Sequence, residues 1–257
     1  MVRGLYTAWT GMTTEQKRLD IITNNLANAS TLGYKKNSVT NQSFDDVLTV
    51  KIKDQSENGL MRNIGSMNLG VKIGEEFTHH TQGSLRETGN SLDLAIEGSG
   101  FFAVNVADDD GAGQVYYTRS SAFTQTREGR IVDVNGNFLL GQNGIITLAE
   151  DTSDIAISPE GYVFADGQII DQIQVQDFEN YQSLEKVGDT LFLPTDATVE
   201  IEANYLIHQG FTEQSNVQVV SEMVDLIAIT RAYEANQKVI QTIDGSLELA
   251  ANSVGKV

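Results

Sequence analysis

The chain has 257 residues, of which 40% are hydrophobic and 20% charged, a composition typical of folded proteins and unlike that of disordered polymers. Its formal net charge of −18 disfavours binding to nucleic acid or to an anionic membrane, since both require clustered Lys and Arg. The absence of cysteine excludes disulfides, thiol catalysis and Cys-based zinc sites.

Residues 2–30 have the pattern of a long amphipathic helix. Apolar residues recur every seven positions at Leu5, Met12, Leu19 and Leu26. Ile22 occupies one of the intermediate positions, so the segment has the heptad repeat of a coiled-coil seam. The helix is predicted to stop in an Asn-rich segment, because Asn disfavours helix interiors and Gly33 can adopt the left-handed conformation.

Residues 217–252 predict a second long helix with one broad apolar face. The seam positions predicted on that face are Val220, Val224, Ile227 and Val239. Residues 1–36 contain five basic and two acidic side chains, whereas residues 211–257 contain three basic and six acidic ones. Opposite charge suits two helices that pair, with each other or with copies of themselves.

The sequence between the helices predicts β structure. Residues 37–78 have weak periodicity and indicate an extended linker with short strands, and residues 79–210 alternate apolar and polar residues over short runs. The predicted strands include Val115–Arg119, Gly129–Val134, Asn137–Gly141, Ile155–Ser158, Tyr162–Ala165, Ile169–Phe178 and Leu191–Leu193. Gly98 and Gly100 are predicted to flank a tight turn with positive φ. We therefore expect a mainly β protein, with a β-sandwich or partly closed barrel flanked by terminal helices that pair as a coiled coil.

The sequence offers no convincing catalytic, cofactor or metal site. The segment around Gly98 and Gly100 lacks the helix that would hold a phosphate. The acidic run 108–111 fails the spacing of a calcium loop and predicts a solvated hairpin tip. The neighbouring His79 and His80 would point to opposite faces of a strand. We therefore expect no enzymatic activity, no cofactor and no small-molecule substrate. We also expect no membrane span, since no run reaches about 18 apolar residues.

Six segments together resemble one protein family. Residues 24–35 resemble the N-terminal signature of the bacterial flagellar rod and hook proteins, and residues 92–102 resemble the signature that opens their shared β domain. Residues 117–119, with Phe123 and Gly129, resemble the hairpin that follows. Residues 215–217, 222–224 and 231–238 resemble their C-terminal helix. The motif residues are Asn24, Asn25, Asn28, Gly33, Tyr34, Gly98, Gly100, Arg231, Tyr233 and Asn236. Leu32 stands where Pro is common in that motif, so the helix stop rests on Gly33 alone.

The resemblance implies a structural subunit of the flagellar basal-body rod. Such subunits polymerise into a helical tube that transmits torque and serves as an export channel. The implied partners are copies of the chain, neighbouring rod or hook subunits, and the type III export apparatus. We expect export without a cleavable signal peptide, because the N-terminus lacks an apolar core segment. The size fits a proximal- or distal-rod type, and the compact region 196–209 favours the proximal type.

Two other function classes remain open at this stage. One is a secreted β-domain enzyme acting on the cell wall, which would require an acid/base pair in a cleft. The other is an adhesin-like binding module, whose helices would form only a stalk. A muramidase assay and a search for a concave apolar pocket distinguish the enzyme from a rod subunit. Particle formation on concentration, or helix pairing with a neighbouring rod subunit, distinguishes the binding module from it.

Overall fold

The computed structural model describes residues 2–51, 62–106, 113–149 and 154–254. The predicted acidic hairpin tip at 108–111 lies outside these residues. The described residues divide into two compact units. The first, here called the helical unit, draws on residues 1–26, 37–77 and 219–257, and the second, the β unit, comprises described parts of 27–36 and 78–218.

The helical unit contains both long helices and two strand pairs. Its elements are α1 (Val2–Ala27), β1 (Asn37–Ser43), β2 (Val47–Lys51), β3 (Arg62–Met67), β4 (Val71–Thr78) and α2 (Val219–Val254). Strand β1 pairs with β4, and β2 pairs antiparallel with β3 so that Val47 lies opposite Met67. The two predicted terminal helices are confirmed, and neither is apolar enough over a sufficient length to cross a membrane.

The β unit is built from short strands and one 3-10 helix, Tyr181–Ser183. The strands are β5 (Leu85–Glu87), β6 (Leu94–Gly98), β7 (Phe101–Val106), β8 (Gln114–Thr118), β9 (Phe123–Gln125), β10 (Ile131–Asp133), β11 (Phe138–Gly141), β12 (Gly144–Ile145), β13 (Ile155–Ile157), β14 (Tyr162–Ala165), β15 (Gln168–Gln172), β16 (Val175–Phe178), β17 (Leu184–Val187), β18 (Leu191–Pro194), β19 (Glu200–Ile201), β20 (Tyr205–Gln209) and β21 (Phe211–Glu213).

One large sheet organises the β unit. Its main path runs β17-β18-β8-β7-β11-β10-β9, with β12 on β11, β16 on β7 and β19 on β16. The path begins at β17 and ends at β9, so within the described residues it is an open sheet and not a closed barrel. A three-stranded sheet, β13-β14-β15, and the pairs β20-β6 and β21-β5 complete the unit.

Strand β7 is buried on both faces, which explains its continuous apolar sequence. Phe102 and Val104 point into the larger core, which also contains Leu94, Ile131, Leu139 and Val163. Phe101 and Ala103 point into a second, aromatic core with Tyr117, Phe178 and Phe192. The strand therefore separates two apolar layers.

The single predicted strand 169–178 is wrong, because the structure divides it between two sheets. Strand β15 pairs with β14, whereas β16 pairs with β7. Ile173 lies between them and forms an isolated bridge to Gly141. The two halves of the segment therefore belong to different sheets, which its alternation of apolar and polar residues does not reveal. The proposed domain boundaries after residues 36, 78 and 210 stay a prediction about folding units.

The positive φ predicted at Gly98 and Gly100 is confirmed, with values of 107° and 100°. A Cβ on Gly100 would lie 2.9 Å from Cγ1 of Val175 and 3.0 Å from Cβ of Ala203. This position therefore combines backbone strain with a lack of space. Gly136 also has a positive φ, 88°, but a Cβ there would contact nothing within 4 Å.

We predict that Gly100→Ala lowers the free energy of unfolding by about 1–3 kcal/mol more than Gly136→Ala does. Gly136→Ala should cost about 1 kcal/mol through backbone strain alone, and Gly100→Ala adds overpacking to that strain. Urea unfolding of the two full-length variants measures the difference. Equal losses in the free energy of unfolding would contradict the prediction, because they would mean that the side chains around Gly100 accommodate a Cβ at no cost.

Candidate assembly site

Helices α1 and α2 run antiparallel against each other within the helical unit. A Cβ on Gly4 would lie 3.4 Å from Cδ1 of Ile243, and a Cβ on Gly11 would lie 2.9 Å from Nδ2 of Asn236. At the other end, Nδ2 of Asn25 donates to Oε2 of Glu222 at 3.2 Å. Each step forward along α1 is matched by an equal step back along α2, so all three contacts belong to one register.

Asn25 joins three elements of the helical unit. Besides its bond to Glu222, its Nδ2 donates to the carbonyl of Asn37 at 2.8 Å, and its Oδ1 accepts from the Asn37 amide at 3.0 Å. The side chain thus binds both backbone groups at the start of β1. Glu222 is buried in the first turn of α2, where the helix dipole favours a negative charge. The motif asparagine therefore fixes where α1 ends, β1 begins and α2 begins.

The predicted seam residues fall into two groups. On α1, Ile22 is buried and the other four are half-buried: Leu5, Met12, Leu19 and Leu26. On α2, the predicted seam residues are exposed: Val220 (77%), Val224 (61%), Ile227 (50%) and Val239 (46%). The α2 residues do not face α1 in the single chain. Their role in contact between subunits stays a prediction.

A different face of α2 carries its least exposed residues. They follow a heptad spacing at Glu222, Leu226, Ile229, Tyr233, Asn236, Ile240 and Ile243. Ile229 is only 2% exposed. This stripe includes Glu222 and Asn236, and a search for apolar residues alone does not identify it. The sequence signal was the four-three spacing itself, with polar residues accepted at some seam positions.

In the β unit, the buried side chain of Glu213 binds two cations. Its Oε1 lies 2.5 Å from Nζ of Lys35, and its Oε2 lies 3.3 Å from Nη1 of Arg119. Oε1 also accepts from the amide of Gly83 at 2.9 Å. Glu213 is 0%, Lys35 1% and Arg119 5% exposed. Burial lowers the pKa of Lys35, and the carboxylate of Glu213 opposes that shift.

The remaining polar groups of this cluster bind backbone carbonyls. Lys35 donates to the carbonyl of Thr81 at 2.9 Å, and Nη2 of Arg119 donates to that of Gly98 at 2.7 Å. The Arg119 guanidinium also lies 5.4 Å from the centre of the Phe101 ring. Three motif segments, around Lys35, Gly98 and Glu213, therefore converge on one buried charge cluster. Reading the motifs separately missed it, although each contains or adjoins one member.

Gly33 and Tyr34 directly precede Lys35 and lie beside the same cluster. Gly33 has φ 69°, so the predicted left-handed conformation is confirmed, and its amide donates to the Glu213 carbonyl at 2.9 Å. A Cβ on Gly33 would collide with the carbonyl of Arg119. Tyr34 is fully buried, with Nζ of Lys186 3.9 Å above its ring. Glycine is thus required here both for its φ and for a close backbone approach.

The other motif residues have unequal environments. Nδ2 of Asn28 donates to Oδ1 of Asp189 at 3.1 Å, whereas Asn24 and Arg231 are exposed. Asn216 accepts from the Lys36 amide at 2.8 Å and donates to the His79 carbonyl at 2.7 Å. Helix α2 begins three residues later, at Val219.

Several other buried carboxylates of the β unit also stabilise local structure. Asp133 accepts from the amides of Asn135 and Asn137, which closes the turn after β10. Asp171 accepts from Asn143 at 2.9 Å. Asp177 accepts from the Tyr181 hydroxyl at 2.6 Å, and burial followed by this bond raises the pKa of Tyr181 to about 12. These carboxylates are held by turn and strand contacts.

His80 lies among aromatic rings beside the charge cluster. The centres of the Tyr181 and Phe192 rings lie 5.1 Å from that of His80, and that of Phe101 lies 5.7 Å away. Burial, followed by the positive charges of Lys35, Arg119 and Lys186, lowers the pKa of His80 to about 4. The imidazole is therefore neutral in the folded chain at neutral and mildly acidic pH.

We predict that Glu213→Gln lowers the free energy of unfolding by about 3–5 kcal/mol, because it leaves Lys35 and Arg119 buried without a counter-charge. The control is Glu87→Gln in the neighbouring strand β5, where the carboxylate is exposed and the change should stay within about 0.5 kcal/mol. Urea unfolding followed by circular dichroism gives both values. Similar small losses would contradict a structural role for the cluster.

We predict that His80 makes the fold sensitive to acid. Between pH 6.5 and pH 4 the unfolded chain protonates this imidazole and the folded chain does not, so stability falls as the pH is lowered. The contribution is about 1–3 kcal/mol. In His80→Phe this part of the loss should disappear, and comparing wild type with variant at each pH cancels the carboxylates common to both. Parallel stability curves would contradict the prediction.

Comparison with known proteins identifies the family. Three family models match: "Flagella basal body rod protein" at residues 5–35, "Flagellar hook protein FlgE/F/G D1 domain" at 95–165 and "Flagellar basal body rod FlgEFG protein C-terminal" at 208–253. The flagellar basal-body rod protein FlgG of Agrobacterium fabrum is 34% identical over 98% of this chain and 100% of its own length. FlgG of Caulobacter vibrioides is 35% identical over 96% and 97%. The flagellar hook-basal body complex protein FlhO of Bacillus subtilis is 32% identical over the full length of both. With three ordered family matches and full-length relatives above 30% identity, the chain belongs to the flagellar basal-body rod and hook protein family and is a structural component of the flagellar rod.

Proposed function

We propose that this rod subunit polymerises through the exposed apolar face of α2, with copies of itself and neighbouring rod or hook subunits as partners. The observation that carries the proposal is a ridge formed by Val220, Met223, Val224 and Ile227, all at least 49% exposed. Spacings of three, four and seven residues place them on one side of the helix. An apolar stripe of this kind marks an interaction surface.

The helix pair supports the proposal by giving the ridge a defined orientation. We propose that α1 and α2 form an antiparallel coiled coil along the register set by Gly4–Ile243, Gly11–Asn236 and Asn25–Glu222. The stripe of α2 that contains Ile229 packs against α1. The ridge lies on another side of the helix, so it is available to another subunit. The heptad spacing on both helices supports continuous pairing between these contacts.

The resemblance to rod and hook proteins supports the remaining parts of the proposal. The subunit is exported by the type III apparatus without a cleavable signal peptide and assembles into a helical tube. Contacts between two different surfaces of identical subunits generate such a tube when the rotation does not close into a ring. The tube transmits torque and encloses the export channel.

The buried carboxylates favour a structural role over a cell-wall enzyme. Glu213 is neutralised by two cations, and Asp133, Asp171 and Asp177 hold turns or strand contacts. A glycosidase would require two carboxyl groups facing a cleft across the scissile bond. The three family matches, at residues 5–35, 95–165 and 208–253, likewise favour a rod subunit over an adhesin-like module.

Two isoleucines of α2 test the proposal as a matched pair. We predict that Ile227→Asp leaves the helix content of the soluble chain unchanged but abolishes swimming, because it puts a charge on the ridge that must become dry in the rod. Ile229→Asp, only two residues away, should reduce helix content in the monomer, since Ile229 is 2% exposed against 50% for Ile227. Circular dichroism and swimming in a complemented deletion strain measure these effects.

Normal swimming of the Ile227→Asp strain, with the variant present in purified basal bodies, would contradict assembly through this ridge. Retained helix content in Ile229→Asp would contradict the coiled-coil pairing. An export assay distinguishes failed assembly from failed secretion, because an assembly-defective subunit still leaves the cytoplasm.

A further inference from the structure

One side chain of the α2 ridge can be oxidised under mild conditions. Val220, Val224 and Ile227 are hydrocarbons that peroxides leave unchanged, whereas Met223 carries a thioether sulfur. Met223 is 49% exposed in the single chain. The chain has no cysteine, so no thiol of its own consumes the oxidant first. A peroxide therefore reaches an oxidisable atom in the middle of the ridge.

The other methionines of the chain are less favourable targets where the structure describes them. The five methionines are Met1, Met12, Met61, Met67 and Met223, and of these Met1 and Met61 lie outside the described residues. Met12 is half-buried on α1. Met67 is 41% exposed, but its Sδ accepts from Nη1 of Arg3 at 3.5 Å, which draws electron density away from the sulfur. Met223 is the most exposed methionine among the described residues.

The oxidation of Met223 by hydrogen peroxide is a single oxygen transfer. The thioether sulfur attacks one peroxide oxygen, so that a sulfur–oxygen bond forms and the oxygen–oxygen bond breaks. The sulfur is oxidised to the sulfoxide, and the remaining hydroxide takes up the proton of the transferred oxygen and leaves as water. The product has a polar side chain with a strong hydrogen-bond acceptor in place of a flexible apolar one.

The sulfoxide is tolerated in the free subunit and unfavourable in a subunit contact. At 49% exposure, the new oxygen of the free chain can bind water, so the fold has no reason to change. A contact that covers the ridge removes this water. The neighbouring side chains Val220, Val224 and Ile227 have no donor that could replace it. The oxygen is then buried without a partner, which weakens the contact.

We propose that Met223 is a peroxide-oxidation site, and that its conversion to the sulfoxide blocks incorporation of the subunit into the rod. This inference rests on the proposed function and adds a chemical control to the same ridge. A subunit that is oxidised before assembly is rejected by the growing rod. A subunit that is already assembled is protected, because the contact covers its thioether.

Peptide mapping by mass spectrometry tests the reactivity of the site. Soluble full-length chain is treated with hydrogen peroxide in buffer and in urea, and purified basal bodies are treated in parallel. In the soluble folded chain, Met223 should oxidise within about twofold of its rate in urea, and Met12 should be slowed more strongly. In basal bodies Met223 should be protected. Slower oxidation of Met223 than of Met12 in the folded chain would overturn the proposal, and so would equal oxidation of Met223 in soluble chain and basal bodies.

A competition experiment tests the effect on assembly. Met223→Gln places an unbranched polar side chain at the same position, and it is co-expressed with differently tagged wild type in the deletion strain. The ratio of variant to wild type in basal bodies, divided by the ratio in the exported but unassembled chain, should fall about tenfold, as expected for one buried polar group without a partner. Circular dichroism of the soluble variant should show unchanged helix content.

Two variants serve as matched controls for the competition. Met223→Leu keeps an apolar side chain of similar volume and should be incorporated like wild type. Met67→Gln makes the same polar change at an exposed methionine away from the ridge and should also be incorporated like wild type. Equal depletion of Met223→Leu would mean that the shape of the side chain matters and its polarity does not. Equal depletion of Met67→Gln would mean that the effect is not specific to the ridge. Either result would overturn the proposal.

The outcomes separate this inference from the proposed function. If Ile227→Asp stops swimming but Met223→Gln is incorporated like wild type, the ridge is used for assembly and oxidation of Met223 does not control it. If Ile227→Asp also swims normally, both the oxidation control and the proposed function fail.

Discussion

The carboxylate of Glu213 is buried between Lys35 and Arg119 and forms an ion pair with each of them. The meeting of three segments of the β unit depends on these ion pairs. Burying such a cluster adds little net stability, because desolvation offsets the attraction between the charges. Removing one member is nevertheless costly, since the others remain buried without compensation. We infer that the cluster serves specificity: only the correct meeting of the segments around residues 35, 119 and 213 satisfies all three charges.

A comparable polar contact organises the helical unit. Asn25 and Glu222 meet where α1 ends and α2 begins, and both side chains are buried. A buried polar pair at one seam position disfavours every other register, because a slip would leave both groups without partners. Gly4 and Gly11 then allow the helices to approach closely further along. With this register fixed, Val220, Val224 and Ile227 remain on the outside of α2.

The sequence predicted the two helices, the Gly33 conformation and the Gly98–Gly100 turn, because each depends on local chemistry. The predictions from sequence failed where contacts between distant segments determine the structure. The run 169–178 is uniformly strand-like, yet β15 and β16 belong to different sheets. The α2 face toward α1 was missed because it includes Glu222 and Asn236, whereas the more apolar face lies outside. Lys35, Arg119 and Glu213 are separated widely in sequence, and only the fold brings them together.

The central claim is that the α2 ridge is exposed in the free subunit and covered in the rod. Maleimide labelling of a single Val224→Cys variant measures this directly, since the chain has no other cysteine. Rates are compared for the soluble chain, for purified basal bodies and for chain unfolded in denaturant. The account predicts labelling of the soluble chain at close to the unfolded rate and strong protection in basal bodies. Equal labelling of soluble chain and basal bodies would contradict it.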